Sequence, residues 1–188
     1  VIVLSNNDGC VISRSNEAKQ LGIKMGVPVF QIKHIIKKNN VKVYSTNFAL
    51  YGDLSNRVMM ILSTLVPSIE IYSIDEAFLD ISHWDIHEYN KEALRICRLI
   101  KQWTGLPVFI GIGPTKTLAK IANHISKRIN KTDNVFVLNT NGSIQDVLNE
   151  HPVDKVWGIG KKTSLFLRSN GIYTALQLCS TNKDWVKK

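Results

Sequence analysis

Asp75 and Glu76 stand side by side in the stretch Glu70-Ile71-Tyr72-Ser73-Ile74-Asp75-Glu76-Ala77-Phe78-Leu79-Asp80-Ile81, between two short runs rich in β-forming residues. Residues 69–74 and 77–81 read as strands that meet at the acidic pair. Side chains alternate along a regular strand, so neighbouring carboxylates reach one common point only where the backbone turns or bulges. A turn there aims both at a metal. The plain alternative is a solvated acidic turn, because acidic residues are common in turns.

Two further groups of residues carry chemistry. On a helix spanning 115–129, Leu118, Ile121, Ala122, Ile125 and Ile129 fall on one side, while Lys116, Lys120, His124 and Lys127 gather opposite them. A row of cations without an interspersed acid suits an anion, although it is also what an ordinary amphipathic helix presents to water. Near the C-terminal end, Val156-Trp157-Gly158-Ile159-Gly160-Lys161-Lys162 precedes an apolar-periodic helix containing Leu165, Phe166 and Leu167. Glycines let backbone N–H groups approach a phosphate, the helix adds its positive N-terminus, and Lys161 and Lys162 add charge. Short helices framing such a turn resemble a helix-hairpin-helix, which holds a DNA backbone without reading bases.

The elements that must position these groups follow from local signals. Val1-Ile2-Val3-Leu4 and a run at 10–13 flank Asn6-Asn7-Asp8-Gly9, a hairpin signal that rests on the tolerance of Gly for positive φ. Ser15 caps a short helix at 16–21 that Gly22 ends, and a basic helix follows at about 30–38. A strand at 41–45 leads into a helix at about 47–65 with a core face of Leu50, Tyr51, Leu54, Val58, Ile61, Leu62 and Leu65. Pro67 stops it ahead of the acidic hairpin. A helix at about 85–103 carries the stripe Ile86, Tyr89, Ala93, Ile96, Cys97, Ile100 and Trp103, and Gly105 closes it. Strands at 108–113 and 134–138 flank the basic helix, and Ser143-x-x-Asp146 caps a short helix to 149. Gly111-x-Gly113 lacks the third Gly and the later acidic residue of a dinucleotide fingerprint, so that function is rejected. This order implies an α+β fold, an antiparallel or mixed sheet with helices on one face.

Composition narrows the partners. The 188 residues include 24 Lys+Arg against 15 Asp+Glu, a formal charge of +9, which favours polyanions, with nucleic acid ahead of an anionic membrane surface. Cys10, Cys97 and Cys179 have no CxxC pairing, so neither a disulfide framework nor a zinc site is indicated, and a reducing, cytoplasmic setting is expected. No apolar run approaches the ~20 residues that span a bilayer, and no membrane partner is expected. An acidic hairpin, a basic helix and a phosphate-clamping turn together suit nucleotidyl transfer. There, two Mg²⁺ ions about 3.5–4 Å apart are held by acidic oxygens while lysines neutralise a triphosphate.

The sequence resembles the Y-family translesion DNA polymerases, in their UmuC-type branch. The resemblance is carried in order by Val3-Leu4-Ser5-Asn6-Asn7-Asp8-Gly9-Cys10-Val11-Ile12, Glu17-Ala18-Lys19, Gly22-Ile23-Lys24-Met25-Gly26, Ile71-Tyr72-Ser73-Ile74-Asp75-Glu76-Ala77-Phe78, Thr115-Lys116-Thr117-Leu118-Ala119-Lys120 and Val156-Trp157-Gly158-Ile159-Gly160. It implies fingers at 1–46, a ferredoxin-like palm at 47–138 and a helix-hairpin-helix thumb at 139–188. It makes Asp75 and Glu76 the catalytic, metal-binding carboxylates, with Ser73 ahead of them. Lys19 and Lys127 become triphosphate contacts, with Asn16 at a neighbouring position where some relatives carry Tyr. Cys10 and Ile12 lie over the nascent base pair, and Gly158, Gly160, Lys161 and Lys162 hold the DNA backbone.

The same resemblance implies primer–template DNA and a dNTP as ligands, Mg²⁺ as cofactor, and a UmuD-type dimer, a RecA filament and a sliding clamp as partners. Its first strand, with another metal carboxylate and an aromatic that excludes ribonucleotides, is expected ahead of Val1, and a little-finger domain after Lys188. The two-metal site is therefore expected to be incomplete within these residues. They are expected to be a fragment with little or no polymerase activity of their own, taken from an error-prone DNA-repair polymerase of the SOS mutagenesis type. The alternative is a non-catalytic DNA-backbone-binding module.

Overall fold

The computed structural model describes residues 1–129, 134–139 and 141–186. The chain forms two compact units, Val1–Leu54 and Ser55–Lys188.

In the first unit, β1 (Ile2–Leu4) pairs antiparallel with β2 (Val11–Arg14) and parallel with β3 (Val43–Ser45). α1 (Asn16–Gln20) and α2 (Val29–Lys38) complete it. Ile2, Leu4, Val11, Ala18, Ile23 and Ile32 form the core. The β1–β2 connection takes its positive φ at Asp8 (54°), not at Gly9. Asp is among the few side chains that tolerate the left-handed region. Asn7 Oδ1 accepts the Gly9 N–H at 3.2 Å and the Ser5 hydroxyl at 2.8 Å, which stabilises the turn around Asp8. Ser15 caps α1 as expected, accepting the Ala18 N–H at 3.3 Å.

α3 (Phe48–Leu65) carries the chain from one unit to the other. Its expected core face is only partly realised: Leu54, Val58, Ile61, Leu62 and Leu65 are half-buried, Leu50 and Tyr51 remain exposed, and the helix's buried residue is Met59, which lies outside the expected stripe. In the second unit β4 (Ser68–Ser73) and β5 (Glu76–Asp80) form the acidic hairpin. A 3-10 turn at Ile86–Glu88 then leads into α4 (Tyr89–Thr104), which buries Ala93, Ile96, Cys97 and Ile100. Burial pushes the Cys97 thiol up to about 11, so it stays protonated as part of the core. Ile86 and Trp103, at the ends of the stripe, are exposed. Gly105 closes α4 in the left-handed conformation, φ 75°.

β6 (Ile110–Ile112) and β7 (Val135–Val137) are parallel neighbours joined through α5 (Lys116–Ile129). Among the described residues, the strands form three small sheets, of three, two and two strands, mixing parallel and antiparallel pairs. α6 (Asn141–Glu150) begins two residues ahead of Ser143, which therefore sits in its first turn. No proline interrupts the segment before Ser143, so nothing in the chain forces a later start. A 3-10 turn at Val153–Lys155, α7 (Lys161–Ser169), α8 (Ala175–Cys179) and α9 (Lys183–Val186) follow. Val153, Leu167 and Ile172 make a small core beneath α7. No described helix is long and apolar enough to cross a membrane.

Candidate active site

Ile74 and Asp75 form the two-residue turn between β4 and β5, Ser73 pairs with Glu76, and the register shifts between Ile71 and Ser73. Turn and irregularity are what adjacent carboxylates need to approach one point. Asp75 is exposed and Glu76 half-buried, so the pair lies at the surface. The Ser73 hydroxyl donates to Asp75 Oδ1 at 2.7 Å and steadies that carboxylate.

Alternation puts Glu70 and Tyr72 of β4 on one face with Phe78 opposite Glu70, and Glu76 two residues before Phe78. α5 presents Lys116 and Lys120, one turn apart, to that face. Lys116 pairs with Glu70 and lies 5.2 Å from the Phe78 ring centroid. Lys120 Nζ lies 2.6 Å from Glu76 Oε2, 5.1 Å from the Tyr72 ring centroid and 5.5 Å from that of Trp157. The expected anion-facing ridge is thus divided, because Lys116 and Lys120 already face carboxylates of this chain. Trp157, whose partner Tyr72 is 85 residues away, donates its indole N–H to the Tyr72 oxygen at 3.2 Å. Its ring contacts Tyr72 at 5.3 Å and Phe78 at 5.6 Å. The turn that carries Gly158 and Gly160 is therefore anchored to the acidic hairpin by its own tryptophan.

A cavity of about 340 Å³ opens beside the hairpin. Asp75, Glu76, Lys120, Asn123 and Lys127 line it together with apolar side chains such as Met59 and Ile96. Its polar lining offers hard carboxylate oxygens with two cations nearby, a donor set for a divalent cation accompanied by phosphate. Among the described residues no cluster of three or more metal-ligating side chains occurs. Two carboxylates nonetheless fit Mg²⁺, which is commonly held by one or two carboxylates plus substrate phosphates.

β6 forms part of the cavity lining and packs unusually close to α5. A Cβ on Gly111 would fall 2.0 Å from the Asn123 backbone nitrogen, and one on Gly113 would fall 2.8 Å from that of Ala119. The Gly-x-Gly rejected as a dinucleotide fingerprint thus has a packing role: it lets α5 approach β6 closely enough for Lys120 and Lys127 to join the cavity lining. His124, on the same helix, meets the buried His151 ring edge-on at 5.4 Å. Burial, then His151 and the charges of Arg128, Lys155 and Lys127, hold His124 below the usual histidine range.

Gly158 adopts φ 90°, and Gly160 caps α7 without a side-chain acceptor. The first N–H groups of a helix have no intrahelical partner, the first turn of α7 contains no acid, and Lys161 and Lys162 are exposed. The result is a cationic helix start open to an anion.

The remaining sequence-derived residues belong to the first unit. Val11 points into its core, so Cys10 and Ile12 lie on the opposite side of the strand, half-buried and exposed respectively. On α1, Lys19 Nζ donates to Asn16 Oδ1 at 3.3 Å, and both residues are exposed. Tyr72, Lys120 and Trp157 escaped assignment because their contacts join distant segments. The available signal was Trp157 beside the glycine turn and lysines at i,i+4 on α5.

Comparison with known proteins gives the same outline. The model of the impB/mucB/samB family matches residues 1–124. UmuC of Salmonella typhimurium is 45% identical over 191 residues, covering 99% of this chain and 44% of that protein. DNA polymerase IV of Metallosphaera sedula is 34% identical over 170 residues, covering 89% of this chain and 47% of its own length. The chain therefore spans a little under half the length of these relatives. Among solved structures, an insertion ternary complex of Dbh DNA polymerase aligns with a TM-score of 0.81 at 29% identity, covering 95% of this chain and 51% of the other. A Y-family DNA polymerase chimera covers the whole chain with a TM-score of 0.84 at 28% identity.

Proposed function

The chain belongs to the impB/mucB/samB family, and from that membership we propose that the protein it represents synthesises DNA across damaged template by nucleotidyl transfer, with Asp75 and Glu76 as its acidic centre. The observation that carries the proposal is the shared lining of one cavity by Asp75, Glu76 and Lys127. Residues 1–46 act as fingers, 47–138 as palm and 139–188 as thumb.

Asp75 and Glu76 hold Mg²⁺. Held there, Mg²⁺ would supply Lewis-acid activation for a 3′-hydroxyl and charge stabilisation for a pyrophosphate leaving group. Ser73 fixes the Asp75 carboxylate through its 2.7 Å hydrogen bond. Lys127 and Lys19 neutralise the triphosphate of the incoming dNTP, and Asn16 holds Lys19 in place. Cys10 and Ile12 present a small surface to the nascent base pair, leaving room for altered template bases. Gly158, Gly160, Lys161 and Lys162 grip the primer–template backbone. Partners of the UmuD, RecA-filament and sliding-clamp kinds belong to the same proposal.

A non-catalytic DNA-backbone binder is favoured by one observation: Glu76 is already engaged by Lys120 at 2.6 Å. A chimera in which these 188 residues replace the matching segment of the 45% identical UmuC distinguishes the two. Primer extension that falls at least about 100-fold on Asp75→Ala supports catalysis. A chimera that binds primer–template normally yet extends nothing supports the binder, and extension indifferent to Asp75→Ala removes the metal role.

A further inference from the structure

Glu76, one half of the acidic pair, holds a cation that the chain itself supplies. Lys120 Nζ approaches Glu76 Oε2 to 2.6 Å, and both side chains line the cavity that also takes Asp75. Asp75 is held differently, by a neutral hydroxyl at 2.7 Å. The pair is therefore asymmetric, with one carboxylate facing a cation and the other, among the described residues, bonded to the Ser73 hydroxyl.

We propose that Lys120 is a built-in competitor for the divalent cation: its ammonium pairs with Glu76 and must leave that carboxylate before Glu76 can serve as a ligand. The proposal rests on the assignment of Asp75 and Glu76 to metal binding. Two cations facing one carboxylate at such distances repel each other strongly, more so in a half-buried cavity than in open water. Occupation by one therefore excludes the other.

The surroundings of Lys120 give its ammonium a second place to rest. It lies 5.1 Å from the Tyr72 ring centroid and 5.5 Å from that of Trp157. Those rings are fixed against each other by the 3.2 Å hydrogen bond from the Trp157 indole. An ammonium over aromatic faces keeps part of its stabilisation when a carboxylate departs. Lys120 can thus exchange partners without entering bulk water. An anion such as a triphosphate that attracts Lys120 would free Glu76, so metal and triphosphate would each strengthen the binding of the other.

The chain provides its own control one turn earlier. Lys116 pairs with Glu70 and lies over Phe78 in the same manner, yet neither Lys116 nor Glu70 lines the cavity. That pair is also more open, with side-chain exposures of 49% and 56% against 21% and 36% for Lys120 and Glu76.

Mn²⁺ binding, followed by the loss of the free-ion electron paramagnetic resonance signal, tests the proposal on the 188-residue chain. Lys120→Met should tighten Mn²⁺ binding about tenfold, Lys116→Met should leave it within about twofold of wild type, and Asp75→Ala should weaken it. Unchanged or weaker binding by Lys120→Met, with Asp75→Ala still impaired, overturns the competitor role and leaves the metal assignment standing. Binding indifferent to Asp75→Ala overturns that assignment itself.

A second measurement needs no variant. A carbodiimide activates the Glu76 carboxyl as an O-acylisourea, the Lys120 amine displaces the urea, and the new amide has lost one water overall. Peptide mass mapping should find the Glu76–Lys120 amide in metal-free protein and should find it suppressed by excess Mn²⁺, with the Glu70–Lys116 amide unaffected. Absence of the first amide, or its indifference to Mn²⁺, overturns the proposal.

Discussion

Gly111 lies so close to Asn123 that a Cβ on Gly111 would stand 2.0 Å from the Asn123 backbone nitrogen, with Ala119 O at 2.4 Å. Neither contact can be relieved by rotating a side chain, so β6 and α5 would have to separate. Gly111→Ala should therefore cost about 3 kcal/mol or more, at the upper end of overpacking penalties. Gly52, in α3, has nothing within 4 Å of its virtual Cβ. Gly52→Ala should stabilise by about 0.5–1 kcal/mol through helix propensity and reduced freedom of the unfolded chain. Urea unfolding of the two variants should thus move in opposite directions from wild type.

Trp157 joins the glycine turn to the acidic hairpin through Tyr72 and Phe78, with ring centroids at 5.3 and 5.6 Å. Aromatic pairs contribute about 0.5–1.5 kcal/mol each beyond buried area. Trp157→Ala should lower stability by roughly 2–3 kcal/mol. Trp157→Phe keeps a ring but loses the 3.2 Å hydrogen bond to Tyr72, and should cost only about 1 kcal/mol. A double-mutant cycle with Tyr72→Leu, read by circular dichroism during urea unfolding, should return a coupling of at least about 0.5 kcal/mol. A cycle that closes to zero would show that the two rings act independently.

Much of this was legible in sequence. β-forming runs around Asp75-Glu76 placed the turn, because neighbouring side chains alternate along a regular strand and the two carboxylates can approach one point only where the backbone turns. The stripe Ala93, Ile96, Cys97 and Ile100 identified the buried face of α4, because its period matches a helix. Ile86 and Trp103 extended that stripe wrongly, since periodicity marks a face but not how far a neighbour covers it. The pairing of Lys120 with Glu76, 44 residues apart, was hidden for a different reason. Both charges look solvated until the register of β5 and the phase of α5 are known together. Pairing beyond the two hairpins was equally opaque, because three-residue strands such as β3, β6 and β7 carry too few side chains to specify a neighbour.

His124 supplies a pH prediction. Burial, His151 and nearby positive charges hold it below the usual histidine value in the folded chain. The unfolded chain therefore binds the proton first as pH falls below about 6.5. The stability this group contributes is present at neutral pH and declines as pH falls from there towards the folded-state value. Between pH 7.5 and 5.5, wild type should lose more thermal stability than His124→Asn. Equal losses would show that His124 does not titrate differently on folding.

The start of α7 separates lysines that can meet DNA from those already engaged. Lys161 and Lys162 are exposed beside a helix N-terminus without an acid in its first turn, and among the described residues no ion pair engages them. Lys116, by contrast, is held by Glu70. Each phosphate neutralised contributes about 0.9 to the slope of log affinity against log salt, because a condensed counterion is released. Lys161→Ala and Lys162→Ala should each reduce that slope by about 1 and weaken binding alike across DNA sequences. Lys116→Ala should leave the slope unchanged, since Glu70 already neutralises that charge. Fluorescence anisotropy of a labelled primer–template duplex at several salt concentrations measures all three. The comparison is internal, so a general loss of positive charge cannot imitate it: equal slopes for Lys161→Ala and Lys116→Ala would place the DNA backbone somewhere other than the glycine turn.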